Sequence, residues 1–122
     1  MLKEAIFHFK QAIAIKPDYA GAYNNLAWIY ATSPNVTLLN GEEAVSLATK
    51  ACELTKFHNV SILNTLAAAY AEAGNFKKAI EYQTRAIELS QKEAKPAFLK
   101  RLERYRSGQA YRIRNYKSDP DN

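Results

Sequence analysis

The stretch TLAAAYAEAGNFKKAIEYQTRAIEL, residues 65–89, decides how this chain folds. Leu66, Ala67, Tyr70 and Ala73, then Ala79, Tyr82, Ala86 and Leu89, recur at steps of three and four, the period of a helix with one apolar face. Gly74 and Asn75 interrupt the two runs. Glycine takes the left-handed backbone that ends a helix and asparagine caps the next one, so the spacing predicts a tight helical hairpin.

The same grammar holds on the N-terminal side. EAIFHFKQAIAIKPDY places Ala5, Phe9, Ala12 and Pro17 as the second helix of a hairpin does, and EEAVSLATKACEL places Ala44, Ala48 and Ala51 equivalently. AYNNLAWIY sets Tyr23, Leu26, Ala27 and Tyr30 on one helical face, as Leu63, Leu66, Ala67 and Tyr70 stand in the next copy. Ala51 to Ala86 is 35 residues and Ala12 to Ala51 is 39. A unit of about 34 residues therefore carries one extra residue in one case and about five in the other. The surplus falls in TSPNVTLLNGEE, where Pro34 and Gly41 bracket a loop and Asn40, ahead of Glu42 and Glu43, starts the following helix. Helices are expected over 2–16, 19–31, 42–56, 60–73, 76–90 and about 93–107, the last ended by Gly108.

Composition bounds the function. The 122 residues suit one domain, and 48% hydrophobic with 24% charged residues is a globular balance. Cys52, the single cysteine, sits in an apolar periodic segment and reads as a buried thiol in a reducing compartment. The amphipathic start MLKEAIFHFKQAIAI is no signal-peptide core. The longest uncharged run, residues 19–41, is too interrupted by polar residues to span a membrane. A cytoplasmic domain without membrane association is the expectation. His8 and His58 share no ligand spacing, and no metal motif, phosphate-binding glycine loop or nucleophile elbow occurs. No catalytic residue, metal or cofactor is therefore expected, and the chain does not read as an enzyme.

These motifs resemble the tetratricopeptide repeat (TPR) family, whose pattern is W-x2-L-G-x2-Y, then A-x3-F, A and P. The first unit supplies only its second helix. The second unit supplies Tyr23, Leu26, Ala27 and Tyr30, then Ala44, Ala48 in place of phenylalanine, and Ala51. The third supplies Leu63, Leu66, Ala67, Tyr70, Gly74, Phe76, Ala79, Gln83 in place of phenylalanine, and Ala86. Lys56 and Gln91 stand where the pattern has proline, and the third unit lacks the first aromatic. The run from LAWIYATSP to LERYRSGQAYR also resembles C-terminal repeat segments of larger bacterial TPR proteins. The resemblance implies an all-α fold, a right-handed helical-hairpin repeat or TPR-like alpha-alpha superhelix of about six helices. Its parts are a partial repeat at 2–19, a repeat at 20–58 with a loop insertion at 32–41, a repeat at 60–93 and a capping helix at 93–107. A basic, then polar, partly disordered tail at 109–122 completes the chain.

The family also implies a non-enzymatic interaction module that binds an extended peptide or partner helix in a concave groove lined by the first helices. By repeat register the groove residues are Asn24, Asn25 and Trp28, and Asn64, Thr65, Ala68 and Glu72. Asn24 and Asn64 occupy the same place in successive units, where amides hold a peptide backbone or are ordinary polar surface. Trp28 either anchors a partner or fills space left by a missing neighbouring helix. Some members clamp a C-terminal carboxylate with lysines and an asparagine. Asn25 matches that asparagine, but helices 19–31 and 60–73 contain no Lys or Arg, which argues against the clamp.

Nine of the 17 basic residues lie from Lys92 onward, among them Lys100, Arg101, Arg104, Arg106, Arg112 and Arg114. They form a basic patch suited to acidic partners or nucleic acid, with Tyr111 and Tyr116 interleaved. Phe98, Leu102 and Tyr105 form a helical stripe between the charges, which instead reads as a solvating cap on the last hairpin. No base-reading motif accompanies the patch, so nucleic acid ranks below a protein partner. At the other end, helix 2–16 lacks a first helix, and Ile6, Phe9, Ala12, Ile13 and Ile15 would expose apolar area. That open end is the reason to consider a homodimer.

Overall fold

The computed structural model describes residues 1–113. Six helices succeed one another: α1 (Leu2–Ile15), α2 (Ala20–Thr32), α3 (Gly41–Leu54), α4 (Val60–Glu72), α5 (Phe76–Leu89) and α6 (Lys95–Arg106). Short 3-10 turns at Val36–Leu38 and Lys92–Ala94 precede α3 and α6. No strand occurs among the described residues. Each helix packs on the next through α5, α6 packs on α5, and α2 also packs on α4. Contact between alternate helices is what stacked hairpins produce, and the fold is all-α repeat architecture of the TPR kind.

Local chemistry sets the boundaries. Asn40, Asn59 and Asn75 cap α3, α4 and α5, each side-chain oxygen accepting the N–H three residues on, at Glu43 (3.1 Å), Ile62 (3.1 Å) and Lys78 (3.2 Å). These bonds satisfy donors that a helix start leaves open. Gly74 ends the α4 hairpin arm at φ +86° and Gly108 comes after α6 at φ +72°. The turn after α3 has no glycine: Lys56 and Phe57 adopt φ of +55° and +57°. Proline is locked near −65°, so this left-handed turn explains why Lys56 replaces the proline of the repeat pattern.

The core is built on small residues. Ala27, Ala31, Ala44, Ala48, Ala51, Ala67, Ala79 and Ala86 are fully buried, and they let helices approach closely around Leu26, Leu63 and Leu66. A second cluster gathers Ala67, Ala71 and Ala79 around Tyr105 of α6. Gln83, at the phenylalanine position, is also fully buried and donates through Nε2 to the Phe98 carbonyl at 3.1 Å, tying α5 to α6. Tyr70 and Tyr82 stack at 5.7 Å, with Phe57 against Tyr82 at 6.4 Å and Arg85 over both Phe57 and Tyr82.

The inserted loop returns to its starting point. The Asn40 N–H donates to the Tyr30 carbonyl at 2.8 Å, so the extra residues bulge outward and leave the helix pair in register. That return drives the start of α3 against the end of α4. A Cβ built on Gly41 would lie 2.5 Å from the Ala73 nitrogen and 2.7 Å from the Glu72 carbonyl carbon. Only glycine fits this approach.

Candidate functional site

The groove forms on the face shared by α2, α4 and α6, and it has two unlike halves. Towards the start of α2 and α4 it is an open concavity of about 690 Å³. Asn24, Asn25, Trp28, Asn64 and Thr65 line it, together with Ser61, Gln91 and Arg101. Asn24 Oδ1 is buried here and has no hydrogen-bond partner among the described residues. Asn64 is only 7% exposed and its Oδ1 accepts from Arg101 Nη1 at 3.0 Å. Thr65 is buried, and its hydroxyl donates to the Ser61 carbonyl at 3.1 Å, a bond within its own helix.

The other half is filled by the chain itself. Beyond Gly108 the backbone turns and residues 109–113 run back along the groove. Arg104 donates twice to the Ala110 carbonyl, at 3.2 and 2.9 Å, which fixes the turn. Tyr111 lies 5.9 Å from the Trp28 ring. Arg112 meets the Glu72 carboxylate through two bonds of 2.9 Å. The Ile113 N–H donates to the Thr32 carbonyl at 2.7 Å, satisfying an acceptor that the end of α2 leaves open. Ala68, in the first core cluster, has no exposed surface and does not line the groove.

Arg101 joins the halves. Its guanidinium sits 4.5 Å from the Tyr111 ring centre, 5.6 Å from Trp28 and 5.7 Å from Phe98, within cation–π range of all three. It makes no ion pair among the described residues, so α6 supplies the groove with the cation that α2 and α4 lack.

Residues that sequence separates into groove and basic patch thus meet. Arg101, Arg104 and Arg112 of the patch turn inward onto Asn64, Ala110 and Glu72. Arg106 pairs with Glu103 at 3.1 Å, Lys100 is exposed, and Arg114 lies outside the described residues with Tyr116 and Lys117. The signal for Arg101 is present in the sequence: Phe98, Arg101, Leu102 and Tyr105 keep the three- and four-residue steps of one helix face. The course of residues 109–113 has no comparable local signal, because their partners Thr32 and Glu72 are distant in sequence.

Cys52 is a fully buried free thiol whose pKa burial pushes up to about 11, keeping it protonated. Among the described residues no group of three or more His, Cys, Asp or Glu is placed to hold a metal ion. Nor, among them, is any helix long and apolar enough to cross a membrane.

Two family models match the chain. One described as TPR repeat covers residues 2–33, and one described as tetratricopeptide repeat covers residues 60–93. The residues between them carry the inserted loop and α3, where the spacing departs from the repeat. Comparison with curated proteins gives no significant match. From repeat spacing, stacked hairpins and these two matches together, the chain belongs to the tetratricopeptide repeat family, a family of non-catalytic, protein-binding scaffolds.

Proposed function

We propose that this scaffold binds an extended segment of a partner protein in the open half of its groove. The observation that carries the reading is the pair Asn24 and Asn64, which stand at equivalent places in successive units on the wall of a concavity of about 690 Å³. A buried acceptor left unpaired costs about 1–3 kcal/mol, so the Asn24 Oδ1 favours a ligand that brings an N–H. The free donors of Arg101 favour a backbone carbonyl or a carboxylate in the same segment. The buried free Cys52 supports a reducing, cytoplasmic setting.

The reading is tested by partner capture with Asn24→Ala and Asn64→Ala, each checked for unchanged helicity. Capture reduced at least tenfold by either substitution supports the groove, and capture unchanged by both removes it. Nuclease treatment should leave capture intact. A nuclease-sensitive, salt-labile complex would instead indicate nucleic acid held by the basic end.

A second reading, end-to-end self-association, draws support from α1. No residue of α1 is fully buried, with Phe7 56% and Ile15 84% exposed. Light scattering over a hundredfold dilution should then report a mass that falls on dilution. A constant monomer mass would end this reading.

A further inference from the structure

We propose that the far half of the groove is a receptor for an extended aromatic–basic segment, which the chain's own residues 109–113 occupy as an exchangeable strap. A partner segment of like chemistry would then have to displace the strap, so this half is gated by the chain itself. The seat shares Trp28 and Arg101 with the open half, while Glu72 and the Thr32 carbonyl belong to it alone, so loss of strap binding on Glu72→Ala is distinguishable from failure of the open-half reading.

Three features of the seat select the occupant, in order along its backbone. Trp28 and the Arg101 guanidinium, 5.6 Å apart, form a corner for a flat ring, and Tyr111 rests in it at 5.9 and 4.5 Å from them. The Glu72 carboxylate, with a side chain only 11% exposed, calls for a planar cation and receives the Arg112 fork at 2.9 Å. The Thr32 carbonyl calls for a backbone N–H one residue further and takes that of Ile113 at 2.7 Å. Ring, fork and amide on successive residues are the contacts of an extended peptide laid in a groove.

The same observations make the strap exchangeable. It leaves α6 at Gly108, whose φ of +72° is a turn that glycine adopts without strain. Gln109, Arg112 and Ile113 stay exposed, and Ala110 and Tyr111, which pack against the second cluster, are only partly buried. The α6 helix is held independently by Leu102 and Tyr105 in the core and by the Gln83 bond to Phe98. Release of the strap therefore leaves the helical stack intact and uncovers the Trp28 face and the Glu72 carboxylate.

The test uses the full chain and a fluorescein-labelled peptide of residues 109–113, capped at both ends. Polarisation should show Tyr111→Ala/Arg112→Ala protein binding this peptide at least tenfold more tightly than wild-type protein. Adding Glu72→Ala to the released variant, or replacing the peptide's arginine by glutamate, should abolish binding, while Asn24→Ala should not affect it. If the double variant loses helicity, Arg112→Glu alone, which breaks the Glu72 pair at a half-exposed side chain outside the core, replaces it. Equal affinity in wild-type and folded released protein, or no binding by the latter, overturns the proposal. So does a wild-type dimer that the peptide converts to monomer, since the strap would then come from a second copy.

Discussion

At the C-terminal end of the stack α6 buries Leu102 and Tyr105, whereas at the N-terminal end α1 buries no residue fully and leaves Phe7 and Ile15 in solvent. Both helices are amphipathic and both stand at an end of the stack. They differ in their anchorage: α6 reaches both α4 and α5 through Tyr105, is tied to α5 by Gln83 and continues into a segment that folds back over the groove, while α1 packs chiefly on α2. In a repeat stack an end is stable when its apolar stripe finds a cover, and this chain covers one end from its own sequence.

Substitutions at the two ends should therefore differ widely. Tyr105→Ala removes a fully buried ring from the second cluster and should destabilise the fold by about 3–4 kcal/mol in urea unfolding. Its hydroxyl is buried without a partner among the described residues, and burial pushes the phenol pKa well above its ordinary value. Tyr105→Phe should then be neutral or slightly stabilising, which separates ring packing from hydrogen bonding.

Between the ends, Gly41→Ala forces a Cβ into the backbone at Ala73 and should cost about 2 kcal/mol in the same unfolding measurement, despite alanine's better helix propensity. A smaller effect of opposite sign is expected after α3. Lys56 is exposed at φ +55°, so Lys56→Gly should raise stability by about 0.5–1 kcal/mol. Smallest of all, Phe7→Ser at the open end should change monomer stability by less than about 0.5 kcal/mol, while lowering any self-association seen on dilution.

The fold is legible in the sequence because local signals agree. Alanine spacing, the Gly74-Asn75 punctuation and the Asn40 start each specify the same hairpins over short distances. Gly41 reads from sequence as part of a loop, since nothing local tells that Ala73 will lie against it. The site is legible as two sets of residues and not as one place. Asn24, Trp28 and Asn64 come from register, and Arg101 comes from the basic patch, read as a charge beside the Phe98, Leu102 and Tyr105 stripe. That the stripe turns Arg101 towards Trp28 depends on how α6 stacks, and the path of residues 109–113 depends on contacts with residues far apart in sequence. Ala68 illustrates the consequence: register places it on the groove, and packing leaves it no exposed surface.

The most direct test of a groove half-filled by its own chain is the proton NMR environment of Trp28, the only tryptophan. A folded-back strap predicts nuclear Overhauser contacts between the Trp28 indole and the Tyr111 ring, with slow exchange of the Ile113 amide bonded to Thr32. Random-coil shifts for residues 109–113, with no contact from Tyr111 to Trp28, would contradict it.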